Sequence, residues 1–93
     1  MSDERFSNVW DAIEETPAAA ETMKLRSALM MALEQHITAN GWTQAEAARV
    51  LGVTQPRVSD LVRGKIDLFG IDTLVNMLTA AGLRVEMHIA NAA

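Results

Sequence analysis

Two glutamines and a short run of cations carry the most suggestive chemistry in this chain. Gln44 and Gln55 each present an amide with a donor and an acceptor side by side. That edge matches adenine in the major groove, while the planar fork of Arg57 matches guanine. Arg63 and Lys65 are cations suited to phosphate oxygens. Thr43, Thr54, Pro56, Ser59 and Asp60 lie among them and complete a polar set within residues 43–65, TQAEAARVLGVTQPRVSDLVRGK. Asp60 is out of place in such a set. Its carboxylate repels phosphate and suits only a cytosine amino group or a position away from the backbone.

These side chains need rigid elements, and the same stretch specifies them. Thr43 followed three residues later by Glu46 is capping-box spacing, which starts a helix. Gly52 offers the positive φ that stops this helix after Leu51. Thr54 is a second cap, although the residue before Pro56 avoids αR and Gln55 can serve instead. Pro56 falls in the first turn, where a missing N–H costs little, and Gly64 ends the second helix. Ala47, Ala48, Leu51, Val53, Val58, Leu61 and Val62 are the apolar positions that let two short helices cross. Gln55, Arg57, Ser59, Asp60 and Arg63 are left on the outer face of the second helix, placed for a major groove.

On these residues the stretch resembles the helix-turn-helix of Xre/Cro-type repressors. Gln44 opens one helix, Ala48 and Gly52 hold the turn, Gln55 opens the next, and Val58 and Leu61 anchor it. The resemblance implies that Gln44 bonds a phosphate and braces Gln55, which reads a base.

The 93 residues make one small domain. Phe6, Trp10, Trp42 and Phe69 are the only aromatics, so the core must be aliphatic. There is no cysteine, hence no disulfide or thiolate metal site. Without a membrane-length apolar run or a basic-then-apolar leader, a soluble cytoplasmic protein is expected. No nucleophile–base pair, phosphate-cradling glycine loop or metal cluster is evident, so neither enzyme activity nor a cofactor is indicated. The net charge of −4 is unevenly spread. Residues 1–21 set Asp3, Glu4, Asp11, Glu14, Glu15 and Glu21 against Arg5, a balance of −5. Within 43–65, Arg49, Arg57, Arg63 and Lys65 outweigh Glu46 and Asp60 by +2. A weakly positive footprint argues for modest DNA affinity per subunit, and therefore for a dimer.

Two parts are expected: an acidic segment, 1–21, and a domain, 22–93. In the first, Phe6, Val9, Trp10 and Ile13 are near helical spacing, which suits a short helix, a fold-back through Trp10, or a solvated arm. The longest helix is expected over 21–40, with Leu25, Leu29, Leu33 and Ile37 as its stripe and Asn40–Gly41 as its stop. His36 at the stripe's edge reads as a packed histidine. Met23, Met30 and Met31 read as core and interface filler. Residues 65–70 form a loop with Ile66, Leu68 and Phe69 tucked beneath the motif, and 71–81 form another helix, closed by Gly82. In residues 83–89 the period changes to two: Leu83, Val85, Met87 and Ile89 face one way, and Arg84, Glu86 and His88 the other. A lone strand needs a partner, and its own copy across a two-fold axis is the simplest. A flexible apolar tail is the alternative.

Across residues 5–89 the order of elements resembles the small HigA-type antitoxins. It implies a mainly α, lambda-repressor-like domain with one C-terminal strand pairing across a homodimer. It also implies an inverted-repeat operator in double-stranded DNA and a RelE/HigB-like toxin as partner. Phe6, Trp10, Asp11 and Glu14 are the candidate toxin contacts. The alternatives are a stand-alone or phage-type repressor, and a protein-interaction module that uses the motif as scaffold.

Overall fold

The computed structural model describes residues 16–92. Four helices and one 3-10 turn run in order: α1 (Pro17–Asn40), α2 (Gln44–Leu51), α3 (Gln55–Val62), the 3-10 turn Ile66–Leu68, and α4 (Ile71–Ala80). The helix expected from residue 21 begins at Pro17. Thr16 is its cap, accepting the Ala19 N–H at 3.1 Å, and proline at the first position gives up an N–H that has no helical partner. Residues 17–21, grouped above with the acidic segment, are thus the first turn of α1. The suggested toxin contacts Phe6, Trp10, Asp11 and Glu14 lie outside the described residues.

The core collects one face from every helix. Met30, Leu33 and Ile37 come from α1, Ala47, Ala48 and Leu51 from α2, Val58 and Leu61 from α3, and Leu74, Met77 and Leu78 from α4. Phe69 is its largest fully buried side chain. The long α1 lies mainly along α4, and α2 crosses α3. Only the C-terminal half of the α1 stripe reaches this core. Leu33 is fully buried, whereas Leu25, two turns earlier, is 48 % exposed because α1 outruns the body it packs on. His36 meets Trp42 edge to face, ring centres 5.3 Å apart, a packed histidine as expected.

Two expectations are corrected. Leu68 does not tuck under the motif but is exposed, since the 3-10 turn aims Phe69 and Ile66 inward and leaves its last residue outside. Nor is there a strand over 83–89; among the described residues no strand occurs. A strand is defined by its ladder, and the described residues offer this segment no second edge. Its first residue also has another duty. Gly82 takes φ +85°, its N–H bonds Thr79 O, and the Leu83 N–H bonds Leu78 O at 2.9 Å. This terminates α4, with Leu83 packed on the core. Leu83 is therefore a helix-capping residue rather than part of an open apolar face. Beyond it Val85, Met87 and Ile89 are exposed. Arg84 and Glu86, two apart, pair at 3.0 Å.

Candidate nucleic-acid interface

The two short helices of the motif are held by different devices. At the start of α2 the Thr43 N–H donates to Glu46 Oε1 at 2.8 Å, and the Glu46 N–H donates to Thr43 Oγ1 at 3.1 Å. Both halves of the capping box are present. The hydrogen bonds from the Thr43 backbone and hydroxyl, aided by Arg49, hold the Glu46 carboxyl below its ordinary value of 4.5. A depressed carboxyl stabilises the fold above its unfolded pKa and ceases to do so as pH falls through the folded one. The stability difference between wild type and Glu46→Gln should therefore be full at neutral pH and shrink below about 4.5 in denaturant titrations run from pH 7 to 3. A difference independent of pH would mean that the charge on Glu46 contributes nothing.

The turn between α2 and α3 depends on Gly52 at φ +71°, where a side chain would be strained. Val53 follows, half-buried against the core, its N–H bonded to Ala48 O at 3.0 Å. Thr54 is the N-cap of α3, with Gln55 the first helical residue and Pro56 the second. Thr54 makes no side-chain cap bond; its carbonyl instead accepts the Arg57 and Val58 N–H groups. Its hydroxyl is exposed beside Gln55.

Gln44 and Gln55 open successive helices and both are exposed, with neither amide engaged within the described chain. Arg63, just past α3, is likewise exposed and unpaired. Ser59 is half-buried one turn along the same helix. The other polar residues are tied down. Lys65 Nζ pairs with Asp60 Oδ1 at 3.6 Å, and the Lys65 N–H donates to Asp60 O at 3.1 Å. The awkward carboxylate thus secures the lysine at the end of the helix. Arg57 turns back instead of outward: its guanidinium lies 4.3 Å from the centre of the Phe69 ring and donates to Leu68 O at 3.0 Å. Sequence gave no sign of these last two contacts, because their partners lie beyond α3 and come close only through the 3-10 turn.

Among the described residues no group of acidic, histidine or cysteine side chains could hold a metal, and no helix is long and apolar enough to cross a membrane. An exposed amide at the N-terminal end of a short helix, with cations just past its C-terminal end, can hydrogen-bond base edges and phosphates.

Comparison with known proteins agrees with this geometry. Residues 12–90 match a family model described as a helix-turn-helix domain, HTH_37. A solved structure described as an XRE family transcriptional regulator superposes with a TM-score of 0.71 at 35% sequence identity, covering 77% of this chain and 81% of its own. No curated protein matches. With the motif intact, the helical frame shared and the family match spanning nearly the whole described chain, the protein belongs to the XRE-type helix-turn-helix family.

Proposed function

We propose that two copies of this chain bind an inverted repeat in double-stranded DNA and repress transcription from it. DNA binding and transcriptional regulation come with the family. The observation that carries the finer reading is Gln55, exposed and unengaged at the first position of α3. There a side chain reaches a base edge when the helix enters the major groove. Gln44 and Thr43 at the start of α2, with Thr54, Arg63 and Lys65, then lie toward the phosphates. Ser59 and Pro56 line the face between.

Gln55→Ala should cost about 1–3 kcal/mol at the operator, concentrated at one or two base pairs. Anisotropy titrations against a panel of single base-pair variants would read this, and a loss spread evenly over the panel would remove Gln55 from the base edge. The Asp60–Lys65 pair gives a second expectation. Lys65→Ala should weaken binding to all sequences and lower the salt slope by about one unit, whereas Asp60→Asn, freeing the lysine and removing a charge, should tighten non-specific binding. An Asp60→Asn protein with weaker non-specific binding would contradict that arrangement.

Dimerisation rests on the uncovered C-terminal segment. Val85 is 40 %, Met87 73 % and Ile89 83 % exposed, so an alternating apolar edge is left without cover, and a second copy of it supplies the missing ladder. Half-sites would lie about one helical turn, ~34 Å, apart.

The antitoxin role is the further part of this reading. Its support is the −5 balance of residues 1–21, which weakens attraction to DNA and suits a basic protein partner such as a RelE/HigB-like toxin. Removing residues 1–15 should leave operator binding unchanged or tighter. Loss of co-purification with a basic protein encoded beside the gene would support the toxin contact through Phe6, Trp10, Asp11 and Glu14, while undiminished co-purification would send it elsewhere.

A further inference from the structure

We propose that Arg57 is a positioning residue, which clamps the start of α3 to the 3-10 turn and so fixes where the recognition helix and its flanking cations meet DNA. The inference rests on the DNA-binding reading above but concerns a residue that the sequence would place among the base readers. In the structure its guanidinium is already occupied on two sides. One face lies 4.3 Å from the centre of the Phe69 ring, within cation–π range. One N–H donates to the Leu68 carbonyl at 3.0 Å, eleven residues away in sequence.

Both anchors belong to the segment that returns the chain from α3 to α4. Phe69 is fully buried and Leu68 ends the 3-10 turn. The turn begins just after Lys65, with the Leu68 N–H bonded to Lys65 O at 3.0 Å and the Phe69 N–H to Ile66 O at 3.1 Å. A second tie closes the far end of the helix, through Asp60 and Lys65. The recognition helix is thereby fastened to one short segment at both ends, by Arg57 near its N-terminus and Asp60 near its C-terminus. A side chain that left Phe69 and Leu68 to reach a guanine would give up the ring contact and leave the carbonyl without this donor. Gln55, two residues earlier, makes no such ties and is free to enter the groove. Lysine does not replace the clamp, since a compact ammonium cannot both stack flat on a ring and donate in the plane of the fork.

The three roles open to an arginine on this helix give different signatures. A base reader loses discrimination at particular base pairs. A phosphate contact lowers the salt slope by about one unit. A positioning residue does neither: its loss lowers affinity by one factor for every base-pair variant and loosens the segment it holds. The test compares wild type, Arg57→Lys, Arg57→Ala and Gln55→Ala by anisotropy against the operator panel at several salt concentrations. Amide hydrogen exchange is followed at Leu68 and Phe69 without DNA. For both Arg57 variants the expected result is a uniform loss of up to about tenfold, an unchanged salt slope, and faster exchange at those two amides. Gln55→Ala should leave exchange there unaltered. Discrimination lost at one base pair, or a slope lowered by one, would overturn the proposal. So would unchanged exchange in Arg57→Lys, which keeps the charge and much of the chain length and so guards the test against a folding defect in Arg57→Ala. If the wild type shows no salt-dependent DNA binding, the functional reading fails, and the exchange data still decide whether the clamp exists.

Discussion

Replacing Leu61 with alanine should destabilise the protein by about 2–5 kcal/mol, the range for a buried leucine whose cavity cannot fully collapse. Leu61 is fully buried on the inner face of α3, in the cluster that holds Val58, Phe69 and Leu74. Total stability for a domain of this size is of order 5–15 kcal/mol, so the variant would lose a large share of it. The recognition helix would be affected first, because α3 is only eight residues long, too short to persist by propensity without its packed face. Urea titration should show a lower midpoint at unchanged slope, together with weaker operator binding at ambient temperature. Val62, the next residue, is 39 % exposed, and Val62→Ala should change stability by less than about 0.5 kcal/mol. A Leu61 variant as stable as the Val62 variant would show that α3 is not seated by this side chain.

Ending the chain after Leu83 should yield folded monomers that bind the operator at least about 100-fold more weakly than the full chain. The choice of end point comes from the structure. Leu83 closes α4 through its N–H to Leu78 O and packs on the core, so it stays, while the exposed Val85, Met87 and Ile89 go. On the proposed two-fold reading each monomer keeps α3 but loses the linkage that would make the second half-site an intramolecular event, and such linkage contributes roughly 10²–10⁴ in avidity. Val85→Pro is the milder version, since proline removes one ladder N–H and is poorly tolerated inside a paired strand. Sedimentation gives the mass, helical circular dichroism establishes that the domain is folded, and titration gives the affinity. A truncated protein that still sediments as a stable dimer would move the two-fold contact to another face, and the exposed Met23, Leu25 and Met31 of α1 would then be the first place to look.

How much of this was legible beforehand depended on how local the causes were. The capping box at Thr43 and Glu46, the positive-φ Gly52, and Pro56 in the first turn of α3 act within a few residues, so the sequence by itself determined the two motif helices and their turn. Periodicity likewise placed Leu33 and Ile37 in the core. It could not say that Leu25 would be left out, because that depends on where the body ends beneath α1, nor that Leu68 would face solvent, because that depends on a single 3-10 turn. The polar face of α3 was legible as a set of residue types and not as a set of free side chains. Whether Arg57 faces outward or lies on Phe69, and whether Asp60 opposes DNA or secures Lys65, is settled by groups five to twelve positions further along the chain. Alternation likewise marked 83–89 as strand-like, yet pairing requires a second edge that the described residues do not contain. Local backbone preferences are written residue by residue, whereas the freedom of a charged side chain is decided by what the fold brings within about 4 Å of it.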